Sequence, residues 1–594
     1  MSEGASDVKR RTVIKALAGV GLVPLAASCG SSSSSTASTA SKAYSLKFDA
    51  SSFTTKTKTV STGSGTRTVK YRFYRNNVYV QRPVNYKYQS LNVSVPVEID
   101  GKTVDATNAP IMFAINVGGY TSSSSWGATA QGGGMSAGAA AGGFGTSGQG
   151  SAPTGGAASG GAPSGSAAGG AAPSGGAAPS GGTAGGASGG PGAAGGASPG
   201  ASSVGLGSSM SSYYTSYDDG EMALANGYVV VEPGCRGRDL QWSDGKYYGK
   251  APTMIVDLKA AIRYLRYNAG RIPGNMDWIV TSGGSAGGAL STLVAASGNS
   301  SLYDADLNAL GAADTDDNVF LSASYSPITD LDHADMQYEW MWGTLPDMGG
   351  GTPGNTSTSS SGAGKLVNQT YSKQLTTAFG GYLDTLALPG INGYGTLTAE
   401  NYAAYLLKEY LEPAATKALS QTLTATERDT YLTKNTWITW SGGQAGFTWD
   451  KFLEHVGNRS KGVPAFDAFD LSATENSVYG DASHNGRHFT LYSLRHASGN
   501  QGAQLASDLP KTIAMMNPMY HLRSKNPSRA RHWWIRTGTL DTNTAHTVVA
   551  NLAAITTGLG DSVNSAVYWD GGHAVNFDSP DLIAWVGKLT GYTV

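Results

Sequence analysis

The chain has 594 residues, a net charge of −1 and only 14% charged residues, and it contains 82 glycines. A net charge this close to zero gives no basis for a nucleic acid or an anionic membrane surface as a partner. No uninterrupted apolar run is long enough to cross a bilayer. The low fraction of charged residues follows from dilution by Gly, Ala and Ser.

The N-terminal segment resembles an export signal. Arg10-Arg11 precede an apolar stretch that reaches Leu25, an order typical of twin-arginine (Tat) signals. Small residues then lead to Cys29, as in the lipobox of bacterial lipoproteins, where the cysteine is acylated. We expect a lipoprotein signal over 1–29 and a serine-rich tether over 30–43, which predicts an exported protein whose lipid anchor alone contacts the membrane. The alternative is an ordinary cleaved signal and a secreted protein.

The first half of the chain has sequence patterns typical of β-strands, and one long low-complexity tract interrupts them. Residues 44 to about 100 alternate polar and apolar side chains, which predicts antiparallel strands. Residues 111–115 and 228–231 are continuous apolar runs, typical of buried central strands. Between them, residues 127–207 are almost entirely Gly, Ala, Ser and Pro and cannot bury enough apolar surface to fold. We expect a disordered surface loop there, which the fold tolerates because closure entropy grows slowly with loop length.

Strands then alternate with helices. Residues 254–265 have helical spacing. Further apolar runs, each short enough for a strand, lie at 278–280, 319–321, 533–535 and 566–569. This alternation favours a mainly parallel sheet with helices on both faces. Residues 333–515 do not continue this alternation of strands and helices. We therefore predict an inserted cap or lid there and a catalytic domain built from 44–332 and 516–594.

The motif from Gly283 to Gly287 has serine at its centre. It follows a predicted strand and opens onto a helix-compatible segment, which is the context of a nucleophile elbow. The flanking glycines permit the sharp turn. Such a turn lifts the Ser285 hydroxyl clear of the sheet and aims a helix N-terminus at developing negative charge. The motif therefore predicts Ser285 as the nucleophile of a serine hydrolase.

A serine nucleophile needs a base, usually histidine, and an acid that orients the base. In α/β-hydrolases the chain order is Ser, then Asp or Glu, then His. His573 follows the last predicted strand and Asp541 follows the strand before it, so we predict these two as base and acid. Asp570 is the alternative acid, and Asp541 could instead cap the next helix. Four other histidines lack this placement, namely His484, His488, His521 and His546.

The oxyanion of a tetrahedral intermediate needs preorganised donors. The N–H of Ala286, directly after the nucleophile, is one candidate. A second is expected from the glycine-rich loop after strand 111–115, where Gly118 or Gly119 can bring an N–H close. Each glycine could equally serve only as a turn residue.

Several separated motifs resemble the bacterial tannases (tannin acyl hydrolases), which have the α/β-hydrolase fold. The segments that carry this resemblance are 234–239, 282–291, 326–335, 464–467 and 474–476. It implies the α/β-hydrolase fold with a cap, and a serine esterase that hydrolyses galloyl (phenolic acid) esters of tannins through an acyl-enzyme. The implied partner is a small-molecule phenolic ester, and the product is gallic acid or a related phenolic acid. The resemblance implies no cofactor and no metal.

The resemblance also implies substrate contacts. In that family a lysine and a glutamate hold the phenolic hydroxyls of the galloyl ring, and Lys461 and Glu475 match them. Because vicinal phenols are donors and weak acids, a cation and a carboxylate suit them. Ile328 is a candidate for lining the acyl pocket. Asn543 stands where the family has an aspartate that touches the ring, and the lost charge leaves a related phenolic ester as an alternative.

Two other functions remain open at this point. One is a feruloyl-type or general carboxylesterase on the same fold. The other is a catalytically inactive, surface-binding lipoprotein, which the presence of Ser285, Asp541 and His573 argues against.

Overall fold

The computed structural model describes residues 43–126, 210–349 and 363–594. The predicted export signal with Cys29, the tether up to residue 42 and the glycine-rich tract at 127–207 lie outside these residues. Tyr44–Val594 forms one compact unit. Among the described residues, no helix is both long and apolar enough to span a membrane.

A central sheet organises the described chain. The strands, in chain order, are β1 (Thr54–Ser61), β2 (Thr66–Val78), β3 (Ser90–Ile99), β4 (Lys102–Thr103), β5 (Ile111–Ala114), β6 (Val229–Pro233), β7 (Ile279–Gly284), β8 (Leu321–Tyr325), β9 (Thr439–Ser441), β10 (Gln444–Gly446), β11 (His532–Gly538) and β12 (Ser562–Tyr568). β9 and β10 pair with each other, and the remaining strands form the sheet in the order β1-β2-β3-β6-β5-β7-β8-β11-β12, with β4 beside β3. β1 to β3 are antiparallel, whereas β6 to β12 along this path are parallel.

Helices cover both faces of the sheet. They are α1 (Asp219–Ala225), α2 (Thr253–Tyr267), α3 (Ala286–Ala296), α4 (Asp304–Leu310), α5 (Leu331–Trp342), α6 (Gln369–Leu386), α7 (Tyr402–Leu406), α8 (Glu412–Lys417), α9 (Ala425–Lys434), α10 (Trp449–Val456), α11 (Thr474–Val478), α12 (Leu491–Ser498), α13 (Leu509–Met516), α14 (Pro518–Arg523), α15 (His546–Gly558) and α16 (Ser579–Thr590). α7 continues directly as the π-helical turn Leu407–Leu411. Further short turns are Met210–Tyr213, Ser301–Tyr303, Ile391–Gly393 and Ala418–Thr422.

Successive side chains along β5 enter two different hydrophobic clusters, one on each face of the sheet. Ile111 and Phe113 are buried in the same cluster as residues of α2, α3 and α15, whereas Met112 is buried with residues of α1 and α16. Successive residues of a strand point to opposite faces, so an unbroken apolar run is what a strand covered on both sides requires. The predicted α/β-hydrolase architecture, a mainly parallel sheet between helices, is confirmed.

Both predicted cap boundaries fall within helices. Position 333 falls inside α5 and position 515 falls inside α13, so neither marks the end of an element. The point at which strand and helix patterns stop alternating marks a change in composition more accurately than it marks a helix end. Because the region is part of the single compact unit, a separate lid stays a prediction.

Candidate active site

The turn between β7 and α3 has the backbone strain of a nucleophile elbow. Ser285 has φ 57° and ψ −122°, a conformation that L-residues rarely adopt. A Cβ on Gly283 would lie 2.5 Å from the carbonyl carbon of Gly287, and a Cβ on Gly287 would lie 2.5 Å from the carbonyl oxygen of Ile115. The two outer glycines of the motif are therefore required by close backbone approach.

Three side chains that are distant in sequence meet at this turn. Ser285 Oγ lies 2.9 Å from His573 Nε2. His573 Nδ1 lies 3.0 Å from both carboxylate oxygens of Asp541. The order nucleophile, imidazole, carboxylate lets the ring accept the serine proton on one nitrogen while the other nitrogen is held by the acid.

The environment of Asp541 keeps it ionised. Burial by itself would raise the pKa of this carboxyl, but the charge and hydrogen bond of His573, with hydrogen bonds from Ser326 and the Asn543 N–H, lower the pKa below its usual value. The Asn543 N–H donates to Asp541 Oδ1 at 2.9 Å. The N-cap position of α15 is held by Ala545, so the interpretation of Asp541 as its helix cap is wrong.

The alternative acid is engaged elsewhere. Asp570 accepts hydrogen bonds from Tyr431 Oη at 2.9 Å and from the Met210 N–H at 3.0 Å, and it pairs with His455 Nε2 at 2.7 Å. The other candidate histidines contact Asp481 (His484), Asp467 (His488), Tyr303 (His521) and the Gly538 carbonyl (His546). His573 is the histidine that lies within hydrogen-bonding distance of Ser285 Oγ, as the chain order predicts.

The glycine-rich loop after β5 packs against the start of α3. The Gly287 N–H donates to the Val117 carbonyl at 2.9 Å, which joins the start of this loop to the first turn of α3. Gly119 has φ +54°, a left-handed conformation that suits glycine. The assignment of Gly118, Gly119 and Ala286 as oxyanion donors stays a prediction.

Ile328 lies against the elbow through its backbone. Its N–H donates to the Ser285 carbonyl at 3.4 Å, and its carbonyl accepts a 2.6 Å hydrogen bond from Tyr120 Oη. Tyr120 directly follows Gly118 and Gly119 in the glycine-rich loop after β5, which we call the oxyanion loop. The side chain of Ile328 is 8% exposed, so any acyl-pocket surface that it offers is small.

Lys461 and Glu475 form a buried ion pair. Lys461 Nζ lies 3.4 Å from Glu475 Oε1 and 3.8 Å from the centre of the Phe466 ring. The Lys461 N–H donates to Tyr338 Oη at 3.2 Å, and Tyr338 Oη donates to the Thr542 carbonyl at 2.6 Å. One hydroxyl therefore ties the lysine to the loop that carries Asp541.

Arg238 connects Glu475's helix to the oxyanion loop. Its Nε donates to the Gly119 carbonyl at 2.7 Å, and its Nη1 donates to Ser477 Oγ at 2.9 Å on α11. Sequence reasoning used segment 234–239 only for the resemblance and missed this role. The available signal was a cation inside a glycine-rich motif, which does not say what the cation binds.

Segment 326–335 contains a hydrogen-bonded cluster beside α5. Asp330, Asp332 and His333 have atoms close enough to share a cation, and no other such group of three occurs in the described ranges. Asp330 already accepts hydrogen bonds from Gln337, Tyr382 and Asn517. These donors indicate a hydrogen-bonded network and not a metal centre.

His333 makes this cluster pH-dependent. Burial disfavours its charged form, but Asp330 and Asp332 outweigh burial and raise the pKa of His333 to about 9. A raised pKa stabilises the fold fully below the unfolded-state pKa of about 6.5, and the contribution is lost as pH rises through 9. We expect His333→Gln to destabilise the protein by about 3 kcal/mol more at pH 6 than at pH 10, measured by urea unfolding. His484→Gln, an exposed control, should show a much smaller difference, and a pH-independent effect of His333→Gln would contradict the prediction.

Comparisons with known proteins agree with this geometry. The family model described as BD-FAE matches residues 207–371. The chain is similar to the solved tannase of Fusobacterium nucleatum, with 28% identity, a TM-score of 0.66, and coverage of 92% of this chain and 100% of that chain. It is also similar to the tannin acyl hydrolase from Lactobacillus plantarum, with 28% identity, a TM-score of 0.67 and coverage of 92% and 99%. A tannin acyl hydrolase in complex with ethyl gallate matches at 28% identity, a TM-score of 0.66 and the same coverage. No curated protein sequence matches the chain.

The sheet and these matches define a hydrolase of the α/β-hydrolase fold. The resemblance predicted from the sequence is confirmed. Within that fold the chain is similar to tannases over 92% of its length, and these relatives support ester hydrolysis as its activity.

Proposed function

We propose that the protein is a serine esterase that hydrolyses galloyl esters through an acyl-enzyme on Ser285. The observation that carries the proposal is the continuous line from Ser285 Oγ through His573 to Asp541, with contacts of 2.9 and 3.0 Å. This line supplies the base that a serine hydroxyl needs before it can attack a carbonyl.

Each proposed step uses a group of the elbow or of the segments beside it. His573 takes the Ser285 proton as Oγ bonds to the ester carbonyl, and the N–H groups of Ala286 and the Gly118–Gly119 turn stabilise the oxyanion. The intermediate collapses, the alcohol leaves with the proton from His573, and the acyl group stays on Ser285. Water, deprotonated by His573, then releases the acid and restores the serine. Asp541 stays ionised and orients the ring throughout.

Lys461 and Glu475 are proposed to recognise the phenolic ring. A carboxylate accepts hydrogen bonds from phenol O–H groups, and an ammonium donates to phenol oxygens. Their burial supports this role, because two buried charged groups gain from a ligand that hydrogen-bonds both. Tyr338 connects the pair to the loop that carries Asp541, and Arg238 connects it to the oxyanion loop.

Methyl gallate, methyl ferulate and p-nitrophenyl acetate test this proposal. We expect Lys461→Met or Glu475→Gln to lower kcat/KM for methyl gallate by about 10²-fold, because a charged hydrogen-bond partner of a phenol is lost. Turnover of p-nitrophenyl acetate, which has no phenol to bind in its acyl group, should change less than about threefold. The matched controls are Lys451→Met and Glu454→Gln, which alter an exposed ion pair on α10. Equal losses on both substrates would refute ring recognition by the pair.

A feruloyl-type esterase is the second candidate, and Asn543 favours it. Its uncharged side chain replaces an aspartate of the resembled family, and its N–H supports Asp541. Faster turnover of methyl ferulate than of methyl gallate would select this candidate while leaving the esterase mechanism intact.

We also propose that the protein is exported and lipid-anchored at Cys29. The twin arginines and the small residues before that cysteine support this. Recovery of the wild-type protein in the soluble fraction of the producing cell would argue against the anchor.

A further inference from the structure

Asp219 is the first residue of α1, and its carboxylate is buried beneath the nucleophile elbow. Its Oδ2 accepts a hydrogen bond from Ser282 Oγ at 2.5 Å. Its Oδ1 accepts from Asn576 Nδ2 at 2.8 Å, from Ser579 Oγ at 2.5 Å and from Tyr325 Oη at 3.2 Å. One carboxylate therefore binds four side chains from three separate parts of the chain.

All four donors belong to elements that hold the triad. Ser282 lies in β7, three residues before Ser285, and Asn576 and Ser579 follow His573 in the same loop and at the start of α16. Tyr325 ends β8, and its carbonyl accepts the Ser285 N–H at 2.8 Å. Asp219 is thus hydrogen-bonded to β7, the strand that leads to Ser285. It is also hydrogen-bonded to the segment 570–579 that carries His573, which we call the histidine loop.

The segment before Asp219 packs on the same loop. The Tyr217 N–H donates to the Asn576 carbonyl at 3.0 Å. The Tyr214 ring stacks on Phe577 with 4.5 Å between ring centres. These contacts hold the far end of the histidine loop against α1, on the face of the sheet opposite α3.

Four hydrogen-bond donors around one side chain suit a carboxylate. An ionised carboxylate only accepts hydrogen bonds and has room for about four donors, whereas an asparagine amide must donate at one of its two atoms. Burial raises the pKa of Asp219, and the four hydrogen bonds offset part of that rise. Because buried charges are weak sources of stability, the arrangement points to geometry as its role.

We propose that Asp219 is a positioning residue for the esterase reaction. By binding Ser282 on one side and Asn576 and Ser579 on the other, it fixes the distance between Ser285 Oγ and His573 Nε2. This proposal rests on the proposed function and adds a residue that acts on the triad from the opposite face of the sheet.

The test compares Asp219→Asn with Asp218→Asn. Asp218 is the matched control because its side chain caps α1 through the Glu221 N–H, and asparagine caps helices equally well. We expect Asp219→Asn to lower kcat for p-nitrophenyl acetate by about 10- to 10²-fold, per serine titrated with a phosphonate, because small misplacement of catalytic groups is that costly. KM should stay within about twofold, and Asp218→Asn should match the wild type. A folded Asp219→Asn protein with wild-type kcat would overturn the proposal.

Single-donor variants cover a failure of Asp219→Asn to fold. Ser282→Ala and Ser579→Ala each remove one hydrogen bond and should each lower kcat by about three- to tenfold. If both leave kcat unchanged, the proposal is wrong.

Hydrogen exchange separates this proposal from the proposed function. If the wild type hydrolyses no ester, the esterase proposal fails, but the backbone amides of 570–579 can still be compared. They should exchange faster in Asp219→Asn than in Asp218→Asn, or faster in Ser579→Ala than in the wild type. Equal exchange would show that Asp219 does not hold the loop.

Discussion

Ser285→Ala is expected to lower kcat for methyl gallate and for p-nitrophenyl acetate by about 10⁴- to 10⁶-fold. Removal of the nucleophile abolishes the acyl-enzyme route and leaves only the oxyanion donors and substrate binding, which give a small residual rate. Ser285 Oγ is the atom that His573 Nε2 contacts at 2.9 Å, so no other hydroxyl is placed to substitute for it among the contacts described here.

Calorimetry and an exposed serine provide the controls. Gallate should bind Ser285→Ala about as tightly as the wild type, since the proposed ring contacts are made by Lys461 and Glu475. Ser498→Ala, on α12, should keep wild-type kcat because Ser498 Oγ is exposed and bonds only locally, donating to the Leu494 carbonyl and accepting from the Asn500 N–H. A Ser285→Ala protein with more than about a tenth of wild-type activity would rule out Ser285 as the nucleophile.

Asp541→Asn is expected to lower kcat by about 10³- to 10⁴-fold. The amide cannot stabilise the imidazolium and favours the wrong tautomer of His573, although its size is unchanged. KM should change little, because Asp541 contacts His573, Thr537 and the Asn543 N–H. Steady-state kinetics on p-nitrophenyl acetate measures the effect without relying on ring recognition.

Asp570→Asn discriminates between the two candidate acids. Asp570 anchors the start of the histidine loop to His455 and Tyr431, so its loss should affect activity less, by about tenfold or under. A larger loss for Asp570→Asn than for Asp541→Asn would assign the acid role to Asp570.

The three predicted triad residues, which meet in the structure, carry local signals in the sequence. Ser285 lies in a glycine motif between a strand and a helix, and the strain at its φ of 57° accounts for the glycines around it. His573 and Asp541 follow the last two strands of the sheet, where side chains at the carboxyl ends of parallel strands converge. The apolar runs at β5 and β6 predict strands because a strand covered on both faces must be apolar throughout.

The contacts that hold these residues were not predictable in the same way. Asp219 looks like an ordinary first-turn acid of a helix, since acidic residues favour that position. Its partners Ser282 and Asn576 are brought to it only by the folded sheet. The contacts of Arg238 likewise involve two segments that are remote from it in sequence, the oxyanion loop and α11.

The histidine loop shows why tertiary packing matters at this site. Asp570 binds it at one end to α9 and α10 through Tyr431 and His455. Asp219 binds it at the other end to β7. A loop that carries a catalytic base must be held to a fraction of an ångström, and buried carboxylates with several donors achieve this.

Phosphonate labelling tests the central claim most directly. A serine-reactive phosphonate is added to the wild-type protein, and peptide mass spectrometry locates the label while methyl gallate hydrolysis is followed in parallel. We predict that one label forms on the peptide containing Ser285 and that activity falls in proportion to the labelled fraction. Hydrolysis that continues after Ser285 is fully labelled, or loss of activity with the label on another residue, would contradict the account.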